Sequence, residues 1–199
     1  GGAPAVLARL AQKAAPGPAI LLACASYIGQ ETVDRWSAGG LLFRAAHPRG
    51  LVPGEGAAGL LVGGMTQDTG ITQLLLASEA CDPAVSAHKR IAPALLARLA
   101  GDLLQTTAPD DVALIVADTG ADTRHVLELM EFAGGATPQL DDSSDILRLG
   151  PACGACDGVP FVAALALARA AALERGAPVL CVSNQDPAMR AVALVRYLI

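Results

Sequence analysis

Apolar positions along the chain follow two spacings, and their alternation predicts the secondary structure. Apolar stripes at helical spacing predict helices at residues 5–14 and 91–105. Further helices are predicted at 32–43 and 123–135, each with a Gly-Gly stop, and at the apolar segment 159–173. Apolar runs of strand length, bounded by turn residues, predict strands within residues 19–28, 50–64, 71–81, 110–122, 146–150 and 177–199. The last of these segments is predicted to be a hairpin that turns at residues 183–187. Because strands and helices alternate, we expect an α/β fold.

Three of these segments carry more specific expectations. Residues 19–28 form a continuous apolar run, which predicts a strand covered on both faces. The strand within 50–64 is interrupted by a Pro-Gly-Glu-Gly turn, and we expect it to pair with the strand at 71–81. The helix at 159–173 is apolar nearly all round and is therefore expected to be buried on all sides. A helix buried between two sheets implies a layered α/β/α/β/α sandwich.

Composition and charge exclude several classes of partner. Hydrophobic residues make up 53% of the 199 residues and aromatic residues only 3%, so a core of small aliphatic side chains is expected. The net charge is −5 and no basic run is present, which argues against a nucleic-acid partner. The most apolar stretch, residues 159–176, contains a proline and two arginines and is too short for a bilayer, so no membrane partner is expected.

The cysteines and the first residues bear on the compartment. The chain has five cysteines, an odd number, and opens without a basic and apolar leader. Both features indicate free thiols in a reducing cytoplasm. The leading Gly-Gly, with no Met, is typical of a cleaved tag or an excised fragment, and a fragment would lack part of its chemistry.

The segment GPACGACDGVP at residues 150–160 holds Cys153 and Cys156 in CxxC spacing. A redox pair is one interpretation, because a helix follows and its dipole can stabilise a thiolate. Half of a zinc site is a second interpretation, but no other CxxC is present and the histidines lack ligand spacing, so no metal is predicted. The third is a tight turn with small buried cysteines, and the surrounding glycines favour it.

The histidines and Glu55 give weaker signals. His47 and His88 are expected in loops, His47 in contact with solvent, and His125 on the exposed face of its helix. None of the three stands beside an obvious nucleophile with an orienting acid, so no catalytic triad is predicted. Glu55, between two glycines, has two interpretations: a buried glutamate that braces neighbouring backbone amides, or part of an ordinary turn between strands.

Taken together, these segments resemble the thiolase superfamily, in particular the carboxyl-terminal half of β-ketoacyl synthases. The most specific match is RGLVPGEGAAGLLV at residues 49–62, where those enzymes have a GFVPGEGA segment. The resemblance covers essentially the whole chain in the same order. It implies a thiolase-like α/β/α/β/α sandwich, with residues 1–45 a remnant of the amino-terminal lobe and residues 46–199 the complete carboxyl-terminal lobe.

The resemblance also locates the catalytic positions of the family. Ala117 stands where the first catalytic histidine is expected, and Pro151 where the second is expected. The nucleophilic cysteine of a ketosynthase lies upstream of the strand at 19–28 and is not in this chain. Condensation needs a thiolate and two imidazoles, and neither alanine nor proline has a side-chain hydrogen-bond donor. The resemblance therefore implies a ketosynthase-like protein without ketosynthase catalysis.

Several residues near these positions are candidates for a degenerate site. They are Glu55, Asp118, Thr119, Cys153, Cys156, Asp157, Ser183 and Asn184. Residues 183–186 correspond to the family's Gly-Phe-Gly-Gly turn between the last two strands, whose backbone amides complete the oxyanion hole.

Three functions are open at this point. The first is a non-catalytic binding or adaptor protein with a protein partner; residues 25–43 and 50–58 resemble thiolase-like proteins encoded in bacterial type VI secretion loci, which implies effector loading. The second is an acyltransferase that acts on acyl thioesters, through a thiol of the CxxC pair with Asp118 or Asp157. The third is a redox role of that pair. No cofactor is expected, and a homodimer formed through the thiolase-type lobes is a further expectation.

Overall fold

The computed structural model of the chain describes residues 2–12, 17–48, 50–63, 72–87 and 90–197. The helices are α1 Ala3–Gln12, α2 Gln30–Ala38, α3 Pro83–Ser86, α4 Pro93–Leu103, α5 Thr123–Ala136, α6 Gly150–Cys153 and α7 Val159–Arg175. The strands are β1 Ala19–Ser26, β2 Glu55–Val62, β3 Thr72–Ala80, β4 Leu114–Ala117, β5 Ile146–Arg148, β6 Val179–Ser183 and β7 Met189–Tyr197. The predicted alternation of strands and helices is confirmed, and so is the final hairpin.

These strands form two sheets. β1 and β2 make an antiparallel pair, in which Ala19 is opposite Val62 and Ser26 is opposite Glu55. The other five make a mixed sheet in the order β3-β7-β6-β4-β5. In that sheet β4 is parallel to β5 and β6, whereas β7 is antiparallel to β3 and β6.

The predicted pairing of β2 with β3 is wrong. β2 pairs along its whole length with β1, and β3 pairs along its whole length with β7. The reason is the position of α7, which lies between the two sheets and contacts β2 on one side and β4, β6 and β7 on the other. β2 and β3 therefore belong to different layers of the molecule.

Two apolar cores cover the two faces of the five-stranded sheet. On one face, side chains such as Val116 and Cys181 pack against α7 and, beyond it, against the two-stranded sheet. On the other face, Ile115 and Leu180 pack against α4 and α5. Residues that are neighbours in the sequence thus enter different cores, as the two-residue period of a strand requires. The expected burial of α7 on all sides holds for residues 159–166, whereas Leu167 and Arg169, in the middle of the helix, are exposed.

The two-stranded sheet is covered on one face only. Leu21 of β1 lies in the core against α7, whereas Ile20 and Leu22 are exposed. The expectation that β1 is covered on both faces is therefore wrong for the described residues. From one side to the other the layers are α4 with α5, the five-stranded sheet, α7 with α1, and the two-stranded sheet. This layering confirms the predicted α/β class, while the predicted lobe boundary at residue 45 stays a prediction.

None of the helices described above is long and apolar enough to cross a membrane.

Candidate functional site

Three segments of the chain meet where β4 ends. They are residues 118–122 after β4, the short helix α6, and the turn between β6 and β7 at residues 184–188. β4 and β6 are parallel neighbours, so their carboxyl ends lie at the same edge of the sheet. Gly150, at the start of α6, packs so closely on this edge that a Cβ there would lie 2.5 Å from the Cα of Gly120. We call this region the β4–β6 edge.

Asp118 is at the centre of a buried polar cluster at the β4–β6 edge. Its Oδ2 accepts a hydrogen bond from Ser183 Oγ at 2.5 Å. Its Oδ1 accepts hydrogen bonds from the backbone amides of Asn184 at 3.0 Å and Gln185 at 3.3 Å. Two successive backbone amides that converge on one oxygen form a nest, an arrangement that binds anions.

The side chains of Thr119 and Asn184 hold the turn in place. Thr119 Oγ1 donates a hydrogen bond to Asn184 Oδ1 at 2.6 Å, and Asn184 Nδ2 donates to the backbone carbonyl of His125 at 2.8 Å. Both side chains are fully buried. The structure therefore brings together four of the predicted candidates, which are Asp118, Thr119, Ser183 and Asn184.

The expectation that His125 is exposed is wrong. His125 is buried on the face of α5 that also carries Leu129 and Phe132, four and seven residues further on. Side chains at this spacing share one face of a helix, and here that face packs on the five-stranded sheet. His47 is exposed, as expected, and His88 lies outside the described residues.

Glu55 is exposed, so of its two interpretations the buried, bracing glutamate is wrong. It starts β2, and its Oε2 accepts a hydrogen bond from Ser26 Oγ at 3.1 Å, directly across the two strands. Its side chain points to the outer face of the two-stranded sheet, over which the described residues place no layer. The glycines on either side of Glu55, rather than the carboxylate, are what the packing of this segment requires.

The remaining candidates lie in the loop at residues 153–157. Cys153 is half-buried, and Cys156 is buried with its Sγ 3.8 Å from the carbonyl oxygen of Ala25. Burial raises the pKa of the Cys156 thiol, which opposes thiolate formation. Asp157 is exposed and accepts a hydrogen bond from the Tyr27 hydroxyl at 2.5 Å, and this bond raises the pKa of Tyr27. All five cysteines are free thiols.

The turn before β2 packs directly on the cysteine loop. The amide of Ala155 donates a hydrogen bond to the carbonyl of Val52 at 2.8 Å, and the amide of Gly54 donates to the carbonyl of Ala155 at 3.3 Å. A Cβ on Gly54 would lie 2.0 Å from the carbonyl oxygen of Cys153, and Gly154 has a φ of 67°. This close approach of two backbones supports the interpretation of the CxxC segment as a tight glycine turn.

A buried ion pair lies behind the β6–β7 turn, and it was not predicted from the sequence. Arg190 Nε donates to Glu128 Oε1 at 2.5 Å and Arg190 Nη2 donates to Oε2 at 3.0 Å. Arg190 Nη1 also donates to the carbonyls of Asp186 and Met189, so the pair ties α5 to the turn. A signal was present, because Glu128 and Arg190 are charges of opposite sign within or beside apolar stretches.

In the ranges described above, no group of three or more His, Cys, Asp or Glu side chains is placed to hold a metal ion.

Ala117 is buried at the end of β4, and Pro151 is exposed in α6, beside the Gly150 contact. Neither supplies a side-chain donor, and Pro151 also lacks a backbone N–H.

Asp118 makes the stability of the fold depend on pH. Burial raises its pKa from 3.8 to about 6, and the hydrogen bonds from Ser183, Asn184 and Gln185 oppose this rise only in part. Since the folded chain then binds the proton more tightly than the unfolded chain, this contribution to stability is complete below pH 3.8 and is lost as the pH rises through 6.

We therefore expect Asp118→Asn to gain stability relative to the wild type by about 3 kcal/mol between pH 3.5 and 7.5. Asparagine keeps an acceptor oxygen for the two amides but has no charge to bury. The measurement is urea unfolding of both proteins at four pH values in this range. A difference in the free energy of unfolding that stays constant with pH would contradict the raised pKa.

Comparison with known proteins finds similarity in structure but not in sequence. No protein-family description matches the chain, and no curated protein sequence matches it. The acyltransferase ChlB3 superposes with a TM-score of 0.68 at 16% identity, over 100% of this chain and 66% of that one. The ishigamide ketosynthase/chain length factor gives a TM-score of 0.65 at 16% identity, over 99% of this chain and 54% of that one.

A third solved structure, 3-oxoacyl-[acyl-carrier-protein] synthase III from Aquifex aeolicus, gives a TM-score of 0.62 at 11% identity. The match covers 98% of this chain and 63% of that one. The chain thus spans between about half and two thirds of the length of these structures. At such identities the likeness shows the fold alone, which is that of the thiolase-like ketosynthases.

Proposed function

We propose that this chain uses a ketosynthase-like fold to bind a protein partner and does not catalyse acyl transfer. The observation that carries the proposal is the carboxylate of Asp118, which occupies the backbone amides of Asn184 and Gln185. By the resemblance to β-ketoacyl synthases, these amides correspond to the turn whose backbone completes the oxyanion hole. With Ala117 and Pro151 at the two histidine positions, the site has neither a free hole nor the expected side-chain donors.

An exposed apolar surface supports the binding role. Ile20 and Leu22 of β1 and Leu61 of β2 are 73%, 64% and 70% exposed. Ile20 is directly opposite Leu61 across the strand pair, and Leu22 is opposite Gly59. Large aliphatic side chains that adjoin in this way form a contiguous apolar patch, and such patches are typical of protein-binding surfaces. We call these four residues the outer β1–β2 face.

The resemblance to thiolase-like proteins of type VI secretion loci suggests the form that this binding takes. It covers residues 25–43 and 50–58, which flank or begin the two strands of the outer β1–β2 face. We propose a cytoplasmic adaptor that loads an effector through this face. A homodimer formed through the same face is the competing arrangement.

Substitution on the outer β1–β2 face tests the proposal. Leu22→Glu places a charge in the apolar patch and is expected to reduce recovery of the partner at least tenfold, about 1.4 kcal/mol in binding free energy. The measurement is affinity capture from the native host with quantitative mass spectrometry. Leu127→Glu is the matched control, because Leu127 is also half exposed but lies on α5, which covers the opposite face of the five-stranded sheet.

Equal recovery by the two variants, or no partner with the wild type, would contradict the proposal. A mass corresponding to two copies, lost only in Leu22→Glu, would favour the homodimer. An acyl adduct on Cys153 or Cys156 after incubation with an acyl-CoA, seen by intact-mass spectrometry, would instead favour the acyltransferase alternative. Cys24 is exposed, so Cys24→Ser controls for nonspecific acylation in that measurement.

A further inference from the structure

We propose that the β6–β7 turn is a binding site for a small carboxylate and that the side chain of Asp118 is its resident ligand. The site consists of the Ser183 hydroxyl and the backbone amides of Asn184 and Gln185, and we call these three donors the carboxylate nest. The inference does not depend on whether the chain binds a protein partner.

The donors of the carboxylate nest and the group they bind come from distant parts of the chain. Ser183 ends β6 and the two amides lie on the turn that follows it, whereas Asp118 follows β4, more than sixty residues earlier. Nothing in the covalent structure of the turn requires this carboxylate. The carboxyl group therefore occupies the turn in the way that a separate ligand would occupy a binding site.

The conformation of the turn is held by contacts that do not involve the Asp118 carboxylate. The Asn184 side chain is bound by Thr119 and by the carbonyl of His125. On the other side of the turn, Arg190 donates hydrogen bonds to the carbonyl of Asp186 in the turn and to that of Met189 at the start of β7. Arg190 is itself fixed by Glu128. Because these contacts survive when the Asp118 side chain is shortened, the three donors are expected to keep their positions.

The chemistry of the nest selects a carboxylate. Two amides donate hydrogen bonds to one oxygen and the hydroxyl donates to the second, which matches the two oxygens of a carboxylate group. The hydrogen bonds of the nest and the guanidinium of Arg190 lower the pKa of Asp118, but burial raises it further, so the match between the two carboxylate oxygens and the three donors, and not the charge, carries the selectivity. Removal of the aspartate side chain beyond Cα leaves a space of the size and shape of acetate.

Rescue by acetate tests the inference. In Asp118→Gly the vacated nest is expected to bind acetate with a Kd on the order of 10 mM, within the limit for so small a ligand. The measurement is ¹H–¹⁵N NMR of the Asn184 and Gln185 amides at pH 7.5, with acetate replacing chloride at constant ionic strength. Saturable shifts at these two amides, together with a rise in Tm, are expected.

Asp118→Asn is the matched control. Its amide oxygen keeps the nest filled, so acetate is expected to leave its spectrum and its Tm unchanged, as in the wild type. Asp118→Ala with formate is the second pair, since alanine vacates only the carboxylate. If either shortened variant is unfolded in chloride, it is expected to refold in the matching carboxylate.

Two results would overturn the inference. One is a folded Asp118→Gly whose Asn184 and Gln185 amides do not respond to acetate, or respond no more than those of the wild type. The other is a shortened variant that stays unfolded in its matching carboxylate.

Discussion

Glu128→Ala is expected to lower the free energy of unfolding by about 3–5 kcal/mol. Arg190 and Glu128 are 2% and 0% exposed, so removal of one partner leaves an uncompensated charge in the interior. Arg190 also holds the carbonyls of Asp186 and Met189, and an unpaired guanidinium would no longer keep them in place. The measurement is urea unfolding followed by circular dichroism and by the NMR signals of the β6–β7 turn.

The surface pair formed by Arg98 and Glu79 is the matched control. Its donor and acceptor are 2.6 Å apart, but both side chains are about half exposed. Glu79→Ala is therefore expected to cost about 0.2–1 kcal/mol. A double variant that replaces Glu128 and Arg190 with leucine and methionine is expected to recover most of the stability, because no charge is then buried. Equal losses for Glu128→Ala and Glu79→Ala would show that burial does not determine the effect.

Gly54→Ala is expected to destabilise the fold by about 3 kcal/mol or more. The new Cβ would lie 2.0 Å from the carbonyl oxygen of Cys153, a backbone atom that cannot move without the loop at residues 153–157. The loop would therefore be displaced, and the buried Cys156 thiol would become accessible. The measurements are urea unfolding and the rate of thiol labelling at Cys156.

Gly134→Ala is the control for the same change of side chain. Gly134 lies on α5 with no atom within 4 Å of its added Cβ, so alanine is expected to raise stability by about 0.5–1 kcal/mol through its helix propensity. Its Cys156 labelling rate is expected to equal that of the wild type. A Gly54→Ala protein as stable as the wild type, with an unreactive Cys156, would contradict the close contact of the two loops.

In this thiolase-like ketosynthase fold, the β6–β7 turn and the loop at residues 153–157 make contacts within the chain. At the β4–β6 edge, the group bound by the backbone amides is the chain's own carboxylate. In the cysteine loop, glycines allow two backbones to touch, and the thiol of Cys156 is buried. Both features favour stability and shape over reactivity, and they are the basis for the proposed binding role.

The candidate site was predicted in part. The resemblance placed Asp118, Thr119, Ser183 and Asn184 among the candidates, and the structure brings these four together. Neither the carboxylate nest nor its geometry was predicted, because a backbone amide can donate to a carboxylate whatever side chain its residue carries. The burial of Glu55 could not be decided for a related reason: the sequence does not record which face of a strand has another layer over it.

The sequence by itself determined the order of strands and helices and the burial of α7 along its first turns. Each of these depends on the spacing or the identity of residues that are close in the chain. Only the tertiary structure decided that β2 pairs with β1, that the outer β1–β2 face is exposed, and that Glu128 meets Arg190. These features depend on contacts between segments far apart in the chain, and local periodicity is the same whichever partner a segment finds.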